Sequence, residues 1–299
     1  MTDTLASLVP PFDYTRAFAR NRGLISEAEQ QRLREGTVAI AGMGGVGGGH
    51  ALTLARLGVG GFRLADADTY DVPNFNRQAG ATMSTLGANK AATIARLVKD
   101  INPEARVEVL EQAIDAHNVA GFLKGAQLYL DGVDAFALAA RRLLFAEARR
   151  RGQWAITAGP LGFGSGLVAF DPKGLSFEDY CGFREGMSRL EEFCAFIVAV
   201  APAGLHLPYL DTSLVDGTSG RAPSSIMGCT LASSLIATEA MRVLIGREPP
   251  RAAPCYMQFD AYRGILRKGR LWLGPRGPIQ ALKRHLVAKK LAGMFDRVS

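Results

Sequence analysis

Val38-Ala-Ile-Ala-Gly42-Met-Gly44-Gly45-Val46-Gly47, followed by Asp66-Ala-Asp68 and then Asn74-Phe-Asn76-Arg77-Gln78, decides the fold of this 299-residue chain. A short apolar run leads into a glycine loop and then into a helical pattern. Gly42 suits the tight turn out of a strand, Gly44 a close approach of backbone to phosphate, and Gly47 close packing of helix on sheet. A helix starting near Gly47 aims unpaired N–H groups and its positive dipole end at an anion. Thr37 to Ala41 reads as a buried strand and Gly61 to Ala65 as the next. Asp66 and Asp68 then fall about 20 residues past the loop, where a ribose hydroxyl is met. Arg77 has no task in a simple dinucleotide fold, so the pattern favours ATP chemistry over hydride transfer.

Strand patterns at 37–41, 61–65, 106–110 and 127–131 alternate with helical patterns near 47–57, 88–100, 116–123 and 135–151. That alternation predicts an α/β, Rossmann-like, mostly parallel sheet with helices on both faces. A further apolar pair, Trp154-Ala-Ile-Thr157 and Gly166-Leu-Val-Ala-Phe170, bends around Gly159-Pro160 and Gly162. Between 171 and 225 the pattern loosens into glycine, proline and polar residues, which predicts a long active-site or docking segment. A helix near 226–245 follows, then a last strand pair at 255–259 and 263–267 that extends the sheet. The expected organisation is an N-terminal arm and helix (1–35), a nucleotide-binding core (36–170) and the docking segment (171–225). Residues 226–299 complete the same domain with a helix, antiparallel strands and a basic tail. Ser26-Glu-Ala-Glu29 matches a capping box at the start of the first helix.

The formal charge of +7 gathers in the tail, from Arg267-Lys-Gly-Arg270 through Lys283-Arg284 and Lys289-Lys290 to Arg297. A solvated helix face is the first reading of that tail, with contact to an acidic protein or RNA as the alternative. The start MTDTLASLVPPFDY lacks the basic opening and apolar run of a secretion signal, and no uninterrupted apolar run reaches membrane length. A cytoplasmic protein with no membrane partner is therefore expected. The four cysteines, at 181, 194, 229 and 255, include no Cys-x-x-Cys pair. A structural zinc site of the usual pattern is not expected, and widely spaced cysteines mostly fill cores.

Gly42-x-Gly44-Gly45-x-Gly47, Asp66-x-Asp68, Asn74-x-Asn76-Arg77-Gln78, Gly87-x-x-Lys90, Ile101-Asn102-Pro103 and Asp131-x-x-Asp134 occur in this order. With them the chain resembles the ThiF/MoeB/HesA family, bacterial relatives of the ubiquitin-activating enzymes. The resemblance implies an adenylyltransferase that transfers AMP from ATP to a carboxylate, typically the C-terminal glycine of a ubiquitin-like or sulfur-carrier protein. It implies that Arg77 and Lys90 hold the triphosphate, that Asp66 and Asn74 hold the ribose and nearby groups, and that Asp134 binds Mg2+ with help from Asp131. It further implies a homodimer in which an N-terminal arginine crosses into the neighbouring site. Arg20, in Phe18-Ala19-Arg20-Asn21, is best placed for this, with Arg16 and Arg22 as alternatives. Such residues suit the chemistry, because cationic groups aimed in advance at a charged transition state are commonly the largest catalytic contribution.

The chain departs from many relatives in lacking paired Cys-x-x-Cys zinc ligands, and a rhodanese-like appendix is not expected. Cys181 and Cys194 fall where some relatives carry a reactive cysteine, and Cys229 reads as packing or as a neighbour of the nucleotide. A second reading is an enzyme resembling the tRNA threonylcarbamoyladenosine dehydratases, which activate a carboxylate on modified tRNA. An NAD-dependent oxidoreductase and a non-catalytic ATP-binding module are further alternatives.

Overall fold

The computed structural model describes residues 10–216, 220–271 and 277–295. Eight strands form one sheet: β1 (Thr37–Ala41), β2 (Gly61–Ala65), β3 (Arg106–Leu110), β4 (Leu128–Asp131), β5 (Trp154–Leu161), β6 (Gly164–Phe170), β7 (Cys255–Asp260) and β8 (Ile265–Arg270). Their order is β3-β2-β1-β4-β5-β6-β7-β8. The first five strands of the chain run parallel to one another, and β6, β7 and β8 extend the sheet antiparallel from β5. Strand order reverses at β1, so the crevice outside the carboxyl ends of β1 and β4 is where an open α/β sheet takes a ligand.

The helices are α1 (Tyr14–Ala17), α2 (Glu27–Glu35), α3 (Gly47–Leu57), α4 (Lys90–Ile101), α5 (Val119–Leu123), α6 (Leu138–Arg150), α7 (Phe177–Cys181), α8 (Arg189–Val200), α9 (Ile226–Ile245) and α10 (Pro278–Phe295). Alternate strand residues face opposite sides. Val38, Ile40, Leu128 and Leu130 join the core that holds Leu54, Ile94 and Ile236, from α3, α4 and α9. Ala39, Ala41 and Tyr129 join a second core with Phe145, Phe177 and Phe196, from α6, α7 and α8. The 20-residue α9 has the length and apolarity of a membrane span, yet it packs against β5, β6 and α3 and supplies core residues.

The segment 171–225 is less irregular than its composition predicts. Ser176 caps α7 by accepting from Asp179 N, and Ser188 with Glu191 forms a capping box on α8. Gly182, in the left-handed conformation at φ 73°, separates the two helices. The basic tail is likewise partly tied down: Lys283 Nζ donates to Pro202 O at 2.6 Å. Arg297 lies outside the described residues.

Candidate active site

The glycine loop turns at Gly42, whose φ is +84°. A Cβ there would lie 2.2 Å from Gly132 O, and one on Gly47 would lie 1.7 Å from Gly42 O. These two glycines therefore let the loop fold back on the end of β4. Gly44 differs, because a Cβ on it would meet nothing nearer than Gln78 Nε2 at 3.7 Å. Its outer side has the room that a phosphate needs. Val46 caps α3 without a side-chain hydrogen bond, so the first-turn N–H groups face that space with no capping side chain.

Asp66 follows directly on β2. Its Oδ2 accepts from Met43 N at 2.6 Å and its Oδ1 from Asp68 N at 2.8 Å, which ties the strand end to the glycine loop. Burial raises its pKa, against the lowering effect of those two backbone donors and of Lys90. Lys90 opens α4 and is buried, with Nζ 3.0 Å from Asp68 Oδ2. Asn89 caps that helix and donates from Nδ2 to the carbonyls of Asp66 and Asp68. Asp68 is exposed, and a bridge with one solvated partner is worth only about 0–1 kcal/mol.

Asn74 ends a short turn and its Oδ1 accepts from Asp71 N at 3.0 Å. Arg77 lays its aliphatic stem beside Gly45 and donates from Nη1 to Pro73 O and Asn76 Oδ1. Asn76 Nδ2 in turn donates to Ser224 O at 3.0 Å, joining this turn to the entry of α9. Cys229 lies on the first turn of α9, with Sγ 3.1 Å from where a Gly45 Cβ would be. Gln78 is buried over Gly44, and its Oε1 has no partner among the described residues. Loop, arginine and lysine thus meet at one edge of the sheet.

One residue departs from expectation. Asp131 is not placed to assist a metal: it is buried, and four donors occupy its oxygens. Arg141 Nε and Thr157 Oγ1 each bind Oδ2 at 2.8 Å, while Tyr129 O–H and Val133 N bind Oδ1 at 3.1 and 3.2 Å. Two carboxylate oxygens offer about four lone-pair sites, so none is left for a cation. Asp134 is exposed at the crevice and uses Oδ1 to accept from Phe136 N. As a hard oxygen donor beside the open face of the loop, it fits magnesium.

Arg20, expected to reach the site of a neighbouring copy, lies away from the glycine loop of its own chain. Its neighbour Asn21 donates from Nδ2 to Leu57 O, at the far end of α3. That helix has 11 residues, so about 16 Å separates Arg20 from the glycine loop of its own chain. Within one chain it takes no part in the site. Arg141, which Asp131 requires, is invisible to motif spacing; the only signal is a single arginine on the otherwise apolar face of α6.

The cysteines are quiet. Burial pushes the Cys194 thiol up to about 11 and drives Cys181 well above its ordinary range. Burial also raises Cys229, with Ser224 and Arg77 opposing it. None of these three is a ready thiolate at neutral pH.

His50 lies fully buried beneath the loop, with Nδ1 3.1 Å from Ser233 Oγ on α9. Burial pushes its pKa from 6.5 down to about 3. The unfolded chain therefore binds this proton as pH falls below 6.5 while the native chain does not, so stability drops in that direction. Between pH 6.5 and 5 the loss from this group is about 2 kcal/mol. Denaturant unfolding at a series of pH values is expected to show it, with a flatter slope for His50→Gln; identical slopes would contradict the assignment.

With the geometry in place, the comparisons define the class. A model of the ThiF family matches residues 18–272, and the chain belongs to that family. It is 32% identical over 150 residues to the tRNA threonylcarbamoyladenosine dehydratase of Escherichia coli K12, covering 50% of this chain and 55% of that protein. It is 30% identical over 225 residues to the probable adenylyltransferase/sulfurtransferase MoeZ of Mycobacterium tuberculosis, covering 73% of this chain and 50% of that protein. The matches span about half the length of these curated relatives. Among solved structures, E. coli MccB crystallised with MccA-N7isoASN aligns with a TM-score of 0.67 at 17% identity, over 90% of this chain and 75% of that one. E. coli TcdA aligns with a TM-score of 0.58 at 21% identity, over 80% of this chain and 98% of that one. At these identities the structural likeness speaks for the fold.

Proposed function

We propose that this chain activates a carboxylate by adenylation, with the C-terminal glycine of a small carrier protein as acceptor. A carboxylate oxygen attacks the α-phosphorus of ATP, the bond from that phosphorus to the α–β bridging oxygen breaks, and pyrophosphate leaves. The observation that carries this reading is the meeting of Gly44's open face, Arg77, Lys90 and Asp134 at one sheet edge of a ThiF-family chain. Arg77 offers a planar fork and Lys90 a compact charge to the departing oxygens. Asp66 receives a ribose hydroxyl, and Asn74 a nearby group. Asp134 holds magnesium, which neutralises phosphate charge. Arg20 fits this scheme only in a homodimer, reaching the site of a second copy. Family membership argues against hydride transfer, which would leave Arg77 and Lys90 without a task.

Mass spectrometry of candidate carriers ending in Gly-Gly, after incubation with enzyme, ATP and magnesium, tests the proposal. A gain of one adenylyl group on the carrier is expected; ATP hydrolysis with no carrier modified would overturn it.

A second reading, activation of a carboxylate on tRNA, is favoured by the identity to the E. coli dehydratase and by the exposed Arg267 and Lys268 of β8. It requires tRNA binding that weakens steeply as salt rises, since phosphate contacts release counterions. Absence of binding at low salt removes it.

A further inference from the structure

The turn that carries Asp134 is held from two sides. On one side it leans on the glycine loop: Gly132 N donates to Ala41 O at 2.9 Å, and a Cβ on Gly132 would lie 2.4 Å from Gly42 O. No side chain fits between the two backbones. On the other side stands α6. Arg141, in its opening turn and 3% exposed, donates from Nη1 to Asp134 O at 3.0 Å and from Nη2 to Val133 O. These two carbonyls belong to the peptide groups that flank the Asp134 Cα, so one guanidinium grips the main chain on both sides of that residue. The direction in which Asp134 projects its carboxylate follows from those two peptide groups. Among the described residues, the carboxylate itself accepts only from Phe136 N.

The guanidinium is itself fixed. Asp131 accepts from its Nε at 2.8 Å, and the Phe196 ring of α8 lies against it, with 4.3 Å from Cζ to the ring centroid. The same helix supports the turn a second time, because Phe136 stacks on Phe193 with centroids 4.6 Å apart and planes 5° apart. Phe193 and Phe196 are neighbours on one face of α8 by their spacing. A buried ion pair is a poor device for stability alone, since apolar side chains of similar volume often serve as well or better. A planar fork of fixed donors does what apolar packing cannot: it holds a carboxylate and two carbonyls in one set relation.

We infer that Arg141 is a positioning residue for metal binding, which fixes the backbone of Asp134 while α8 holds it in place through Phe196 and Phe193. It touches neither metal nor nucleotide. The inference rests on the reading of Asp134 as the magnesium ligand in the adenylation proposal. Groups that orient a metal's ligands without touching the metal typically contribute about 10–100-fold in affinity.

The test is metal binding, measured apart from turnover. Mn2+, which takes the same kind of oxygen donors as magnesium and is counted by EPR, is titrated into the full chain in the presence of AMPCPP. ATP affinity in excess EDTA and an unfolding curve are recorded on the same preparations. Asp134→Ala is expected to lose Mn2+ binding, and Arg141→Lys to weaken it at least about ten-fold. Phe193→Leu, which leaves the Asp131 ion pair intact, should weaken it by a smaller factor, and all three should keep the wild-type affinity for metal-free ATP. A purely structural arginine would lower the unfolding midpoint and leave the Mn2+ affinity of the folded chain unchanged; that result in Arg141→Lys would overturn the inference. Should Arg141→Lys fail to fold, wild-type Mn2+ affinity in Phe193→Leu would overturn it. Wild-type Mn2+ affinity in Asp134→Ala would overturn it together with the metal role of Asp134. The expected order of affinities in a chain that adenylates no carrier would uphold the positioning role and remove the reaction.

Discussion

Lys90→Met is expected to lower carrier-dependent pyrophosphate release by about 10²–10³-fold, the usual cost of removing one aimed donor to a developing charge. Methionine keeps the buried aliphatic stem at the start of α4 and deletes only the charge. The fold should survive, because the bridge to Asp68 has one exposed partner and contributes little to stability. Arg77→Lys provides the companion measurement. It retains a positive charge but loses the fork, so its loss is expected to be substantial but smaller than that of Arg77→Ala. Steady-state pyrophosphate release with unfolding curves on the same preparations checks both. Wild-type turnover in Lys90→Met would remove Lys90 from the machinery.

The second large effect separates two acids that lie three residues apart. Asp131→Ala removes one half of a buried ion pair, leaving Arg141 uncompensated beside Val133 and Asp134 carbonyls. A loss of about 3–5 kcal/mol is expected, enough to unfold many domains of ordinary stability. Asp134→Ala is expected to fold normally and to lose magnesium-dependent activity instead, since its carboxylate is exposed and makes a local turn contact only. Denaturant unfolding together with a magnesium titration of activity distinguishes the two. Equal stabilities, or a magnesium response unaffected by Asp134→Ala, would contradict this division of roles.

Much of this was legible in the chain, and for physical reasons. The segments from 37 to 65 are short, strongly apolar and bounded by glycine, so the pattern and the observed strands coincide. Helix α6 begins at Leu138 rather than near 135 because the Asp134 carboxylate captures Phe136 N in a turn first. Strand β8 begins at Ile265 rather than near 263 because Asp260 holds Arg263 N in the same way. In the segment 171–225, α7 and α8 were masked by glycines and by apolar residues without clear periodicity. The pair Ser188 and Glu191 was the available signal.

The site divides along the same line. Gly42, Gly44, Gly47, Asp66, Arg77, Lys90 and Asp134 announce themselves by spacing, because one loop and the strand ends beside it fix their separations. Asp131 does not, since a buried acid bound to an arginine on the next helix has the same local sequence as a metal ligand. Arg20 reads as an arginine for a neighbouring copy's site, and in one chain its neighbour Asn21 sits at the far end of α3.

Isotope exchange between ATP and pyrophosphate, with magnesium and each candidate acceptor in turn, tests adenylation most directly, because exchange requires the acyl-adenylate to form and reverse. Exchange that depends on a Gly-Gly carrier and disappears in Lys90→Met is predicted. ATP bound by the wild type with no exchange in the presence of any carrier or tRNA would contradict adenylation as the activity of this site.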